Sequence, residues 1–159
     1  PDLRGAVLDS DVVWVGGGSV ANLLAVWRVH GLDSVFREAW QSGVVLAGIS
    51  AGALCWHSSG STSSFGPGIG IFTNGLGFLP HSLGVHYDSD GNRPVQHERA
   101  IAEGELPAGF ALDEGVGIVY RGTEVTEVVA QSSGNAYWIE REGNGVAKRT
   151  ITPRRLPGV

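Results

Sequence analysis

Residues 48–52 read Gly-Ile-Ser-Ala-Gly, a G-x-S-x-G pentapeptide reached through the apolar run Val44 to Ile49. Ala51, Ala53 and Leu54 then read as a short helix. A strand that turns at once into a helix, with a serine at the corner, constrains the chain to an α/β architecture. Small residues on both sides let the backbone fold tightly and lift the Ser50 hydroxyl clear of the sheet. The Ala51 amide then faces the oxygen that gains charge during acyl transfer, with the helix N-terminus behind it. In a chain with 25 Gly the bare pentapeptide carries little weight; its position between an apolar strand and a helix carries the argument. The simpler reading, a strand-to-helix turn with a serine cap, stays open on the pentapeptide alone.

The neighbouring segments extend the pattern. Val12 to Val15 is a short apolar run ending in Gly16-Gly17-Gly18, which reads as a buried strand meeting a tight loop. Ser19 can cap a helix in which Val20, Leu23, Leu24 and Trp27 share one face, with Gly31 as its stop. Asp33 can cap a second helix bearing Val35, Phe36, Ala39 and Trp40. Strand, helix, helix, strand, helix indicates a parallel sheet with helices on its faces. Residues 58–77 change character, with many Gly and Ser, and read as a long connection of the kind that serves a site. A segment ending at Leu83–Tyr87 and a helix over about 94–103 follow. Beyond Leu106 the period changes to two: 116–120, 125–130, 136–142 and 146–151 read as strands, with turns at Arg121-Gly122 and Gly143–Gly145.

A serine needs a neighbouring base, usually a histidine with an orienting carboxylate. Of five histidines, His30 ends a helix, where the helix dipole favours a cation. His57 follows on the nucleophile's own helix and is expected to face away. His97 sits mid-helix among charged residues and reads as solvated. His86 ends a short apolar segment at the sheet edge where the serine is expected, before the polar loop 88–92; His81 is the weaker rival. No histidine follows residue 97, so a triad runs in the order Ser, His, acid. The pair Asp113-Glu114, between Phe110–Leu112 and the next strand, supplies the acid candidates. Gly16–Ala21 satisfies G-x-G-x-x-A, yet the second strand ends at Ile49-Ser50 and not at the acidic residue a dinucleotide site requires. That loop is better placed to give a second oxyanion amide, from Gly18. Cys55 is expected in the core.

Composition closes several classes. The five Trp, 42% hydrophobic and 17% charged residues exclude disorder. A net charge of −5 without a basic, aromatic-interleaved stripe argues against nucleic acid, and Lys148, Arg149, Arg154 and Arg155 read as a solvated face. No apolar run approaches the roughly 18 residues of a membrane span. A single Cys excludes a disulfide framework and a cysteine zinc cage. His86-Tyr87-Asp88 lacks partners at ligand spacing, so no metal and no cofactor are expected. A cytoplasmic setting is the expectation.

Taken together, the Gly-Gly-Gly-Ser loop opening a helix, Gly-Ile-Ser-Ala-Gly-Ala, and Leu-Gly-Phe-Leu-Pro followed by Val-His-Tyr resemble the peptidase E and cyanophycinase family of serine peptidases, from Val12 to about Ile151. The resemblance implies a flavodoxin-like, class I glutamine amidotransferase-like three-layer sandwich with a mostly parallel sheet, followed here by C-terminal antiparallel strands. It implies a single peptidase domain over 1–159 that hydrolyses dipeptides or short peptides, with Ser50 as nucleophile and His86 as base. As in cyanophycinase-like members, the acid follows the histidine; it is assigned to Glu114, with Asp113 second. Arg93 is the nearest match to the arginine that holds an aspartyl side chain in peptidase E, although the preceding loop differs. Members begin with further strands before the glycine loop, so the resemblance implies a sheet lacking its N-terminal strands in this chain, and a homodimer stays open. The competing functions are a non-catalytic binding module on the same fold and an esterase or amidase for small acyl groups.

Overall fold

The computed structural model describes residues 2–157. The first strand, β1 (Val12–Val15), follows a short helix α1 (Leu3–Leu8) and pairs in parallel with β2 (Val45–Gly48). Between them lie α2 (Val20–Val29) and α3 (Leu32–Gln41), and α4 (Ala51–Leu54) follows β2 directly. Ser19 caps α2 by accepting from Asn22 N–H at 3.2 Å. Gly31, with φ 68°, is where α2 gives way to α3. It is Gly31, not Asp33, that occupies the cap of α3; Asp33 stands in its first turn.

The larger sheet combines β3 (His57–Thr62), β4 (Gly70–Phe72), β5 (Leu79–Gly84), β6 (Gly109–Leu112), β9 (Ala136–Glu142) and β10 (Gly145–Ile151), in the order β10-β9-β6-β5-β3-β4. Its centre, β6-β5-β3, is parallel, and β4, β9 and β10 add antiparallel flanks. A hairpin of β7 (Val116–Arg121) and β8 (Glu124–Ala130), extended by β11 (Arg154–Arg155), forms a third ladder. The architecture is mixed α/β, parallel where the strand ends carry the site and antiparallel toward the C-terminus.

Alternation along β6 sorts the two sides. Phe110 and Leu112 join the main core with Leu24, Trp27, Phe36, Leu54 and Trp56, whereas Ala111 faces Ile101, Leu106 and Ile139 beneath α5 (Asn92–Ala102). Period-two alternation in the strand thus places helices on both faces. In the main core Trp27 and Phe36 lie 4.5 Å apart between ring centroids and Trp56 stands 5.6 Å from each. Aromatic groups of this size dominate the burial energy of a small domain.

Three expectations are revised. Residues 58–77 are not one open connection: His57–Thr62 is a mostly buried strand and Gly70–Phe72 pairs with it. Its Ser and Gly are small because neighbouring backbone is close; a Cβ on Gly60 would stand 2.3 Å from the Leu83 carbonyl. The strand β1 is buried on one face only, with Val15 in the core and Val12 and Trp14 exposed. The C-terminal basic residues are partly engaged: Lys148 pairs with Glu98 at 2.7 Å beside the rings of Tyr87 and Tyr137, and Arg154 pairs with Glu127.

Candidate active site

Ser50 joins β2 to α4 with φ 55° and ψ −118°. His86, just beyond β5, has φ 53°. Among the described residues these two are the non-glycine residues with positive φ. Side chains rarely enter that region, and such strain persists where surrounding structure over-determines it, commonly at functional sites.

The sequence dictates the corner at Ser50. Ile49 N–H donates to the Val15 carbonyl at 3.1 Å, continuing the β1–β2 ladder to the turn. Ala53 and Leu54 N–H both return to the Ser50 carbonyl, at 3.0 and 2.9 Å. The flanking glycines are sterically required. A Cβ on Gly48 would lie 2.3 Å from Gly52 O, and a Cβ on Gly52 would lie 2.2 Å from Val15 O. Gly17 backs onto the serine: a Cβ there would be 3.4 Å from Ser50 Cβ. Gly18, with φ 142°, follows, and neither its N–H nor that of Ala51 has an acceptor among the described residues. Ser50 Oγ likewise has no hydrogen-bond partner among them.

The other candidate residues gather at the ends of β5 and β6. Tyr87 N–H donates to Leu112 O at 3.0 Å, carrying the pairing of those strands past their formal ends. Ser89 closes a turn on the His86 carbonyl through both its N–H (3.1 Å) and its hydroxyl (2.8 Å). His86 Nδ1–H donates to Glu114 Oε2. Asp113 is turned the other way: it is buried, and its Oδ2 accepts from Asn135 N–H at 2.9 Å and from the Tyr137 hydroxyl at 3.2 Å. Of the two acid candidates, Glu114 is therefore the one in contact with His86. The carboxylate of Asp88 accepts from Glu114 N–H at 2.8 Å. Arg93, in the first turn of α5, donates from Nη1 to Val85 O at 3.3 Å, one residue before His86.

The remaining histidines lie elsewhere. His30 caps the end of α2. His57 begins β3 and is buried, not part of the nucleophile's helix; its Nδ1 lies 3.0 Å from Ala53 O and its Nε2 3.2 Å from the Tyr120 hydroxyl. Burial pushes its pKa down to about 4. His97 is fully buried, contrary to the solvated reading, because the charged residues around it point outward while it turns inward from α5 to Ser61 Oγ at 3.1 Å. Its pKa is also pushed down to about 4 by burial. His81 lies within β5, with its ring against Phe110 and Trp138. Cys55 is buried and desolvation raises its thiol pKa, so it is no competing nucleophile.

Two contacts escaped the sequence reading. Ser64 Oγ accepts from Val20 N–H at 2.9 Å and so ties the β3–β4 turn to the start of α2 beside the glycine loop. The Asp88–Glu114 contact is the other. Only the polar character of both segments hinted at either.

Relatives bear on this geometry directly. The family model for peptidase family S51 matches residues 2–128. An uncharacterized peptidase, YgaJ, of Bacillus subtilis (strain 168) is 41% identical over 156 residues, covering 98% of this chain and 67% of the relative. Peptidase E of Shewanella denitrificans is 29% identical over 146 residues, covering 91% of this chain and 56% of that protein. The chain thus spans between about half and two thirds of the curated relatives it matches. The crystal structure of a peptidase from an acI-B1 Actinobacterium superposes with a TM-score of 0.66 at 20% identity, over 96% of this chain and 61% of that one, and shares the fold. With the family model spanning most of its length and the strained serine corner in place, the chain belongs to peptidase family S51.

Proposed function

We propose that the protein is a serine-type peptidase that cleaves dipeptides or short peptides through Ser50, His86 and Glu114. The observation that carries this reading is the contact of His86 Nδ1 with the Glu114 carboxylate. A carboxylate at Nδ1 fixes the proton there and leaves Nε2 unprotonated, the form needed to accept a proton from a serine.

In the proposed reaction, Ser50 Oγ attacks the scissile carbonyl carbon while its proton passes to His86 Nε2. The carbonyl oxygen becomes an oxyanion held by the Gly18 and Ala51 amides, whose N–H groups have no acceptor of their own among the described residues. Collapse breaks the C–N bond, and the amine leaves with the proton from His86. Water then attacks the acyl-enzyme, giving its proton to His86, and Ser50 is released. Glu114 orients the imidazole and stabilises its cationic form throughout. Hydrogen bonds at an active site are often loose without substrate, consistent with the open hydroxyl of Ser50. Arg93, close to the His86 backbone, would meet an acidic substrate side chain. Among the described residues no helix is long and apolar enough to cross a membrane, and a cytoplasmic peptidase is the setting we propose.

A dipeptide library screened beside simple acyl esters tests the substrate class. Turnover of dipeptides above esters supports the peptidase; ester turnover alone points to the esterase.

A further inference from the structure

The acid of the proposed triad is exposed and lies on a connection between strands, so something must hold it against His86. An exposed glutamate carries several rotatable bonds, and holding it in one arrangement costs side-chain freedom. Neighbouring structure holds its backbone on both sides of the peptide: Asp88 accepts from its N–H, and the Ser132 hydroxyl donates to its carbonyl at 3.0 Å.

Four hydrogen bonds order these two strand ends around His86 and Glu114. Tyr87 N–H to Leu112 O, at 3.0 Å, is the last main-chain bond between the extended β5 and β6 segments. Ser89 N–H and Oγ bind the His86 carbonyl and shape the turn in which His86 has positive φ. Asp88, between Tyr87 and Ser89, then takes the Glu114 N–H at 2.8 Å. The side chain continues the ladder where the main chains have parted. One loop therefore carries the histidine and clamps the residue that orients it.

We infer that Asp88 is a positioning residue, whose carboxylate fixes the Glu114 backbone and thereby holds the Glu114 carboxylate at His86 Nδ1. The inference rests on the triad proposed above. Misplacing a catalytic group by about 1 Å can cost around a hundredfold in rate. Among the described residues the Asp88 side chain hydrogen-bonds to Glu114 N–H and to neither Ser50 nor His86. It acts through Glu114 alone.

The test uses the full chain and a fluorophosphonate probe under saturating kinetics, which separates the inactivation rate kinact from the binding constant KI. Asp88→Ala is expected to lower kinact by about 10–100-fold with KI unchanged. Asp88→Asn, whose amide oxygen can accept the same N–H, should restore kinact close to wild type. In Asp88→Ala the downfield proton resonance of His86 Nδ1–H should broaden or shift, a change that loss of stability alone would not produce in a folded protein. Unchanged kinact in Asp88→Ala, with Glu114→Gln slowed, overturns the role of Asp88 and leaves the triad standing. Equal slowing by Asp88→Asn and Asp88→Ala also overturns it, because charge and not the hydrogen bond would then be responsible. Unchanged kinact in Glu114→Gln overturns the triad itself and this inference with it.

Discussion

His86 Nδ1–H points to the carboxylate of Glu114, while the adjacent Asp113 turns its carboxylate to Asn135 N–H and the Tyr137 hydroxyl. Two neighbouring acids at one strand end thus have different partners. Glu114→Gln should lower kcat by about 10²–10⁴-fold with a small change in Tm, because an amide no longer fixes the tautomer or stabilises the imidazolium. Asp113→Asn should do the reverse, lowering Tm and sparing kcat. Steady-state kinetics and thermal melts on both variants check the pair; a catalytic defect confined to Asp113→Asn would move the role there.

The corner at Ser50 depends on close backbone approach. Gly52→Ala would bring a methyl group to 2.2 Å from the Val15 carbonyl, and that neighbour is backbone at the end of a paired strand. It cannot swing away as a side chain could. The expected cost is about 1–3 kcal/mol or more, with loss of activity even in the folded fraction. Urea denaturation measures the first and probe labelling of Ser50 the second. Gly18→Ala, with open space at its Cβ but φ 142°, should be strained without a clash.

Stability should fall on acidification for a reason separate from catalysis. His57 and His97 are buried and their pKa values are pushed from 6.5 down to about 4. Between those values the unfolded chain binds protons that the folded chain refuses, so stability is full above the unfolded value and is lost as pH falls toward 4. Urea midpoints should decline through that window. His97→Asn should start less stable and show a shallower decline; an unchanged slope in that variant would remove His97 from the account.

Arg93 separates recognition from structure. If it meets an acidic side chain, Arg93→Ala should reduce the preference for aspartyl over asparaginyl dipeptides by roughly 10–100-fold, the scale of one hydrogen bond to a charged group. Ratios of kcat/KM for the two peptides decide the matter. An unchanged ratio would mean that Arg93 serves only the Val85 carbonyl it already holds.

The sequence carried the local rules well and the tertiary context less so. A strand, a serine between glycines and a helix can be read along the chain, because each signal lies within a few residues of the next. His86 and the pair Asp113-Glu114 stand out along the chain because both follow apolar segments that end at one edge of a parallel sheet, whereas the choice of Glu114 within the pair comes from the family resemblance. The strand His57–Thr62 was not, since its Ser and Gly answer to neighbours far along the chain, such as the Leu83 carbonyl against Gly60. His97 was misread for the same reason: its burial depends on Ser61, which lies 36 residues away. The exposed Trp14 reflects a face that alternation alone cannot show to be covered or bare.

If Ser50 is the nucleophile of a peptidase, both its labelling and its removal have defined consequences. The most direct measurement treats the purified chain with a fluorophosphonate, maps the adduct by peptide mass spectrometry, and assays dipeptide hydrolysis by wild type and Ser50→Ala. The expected result is a single adduct on Ser50 and loss of several orders of magnitude in hydrolysis by the alanine variant. Hydrolysis that survives in Ser50→Ala, or an adduct on another residue that tracks with activity, would contradict it.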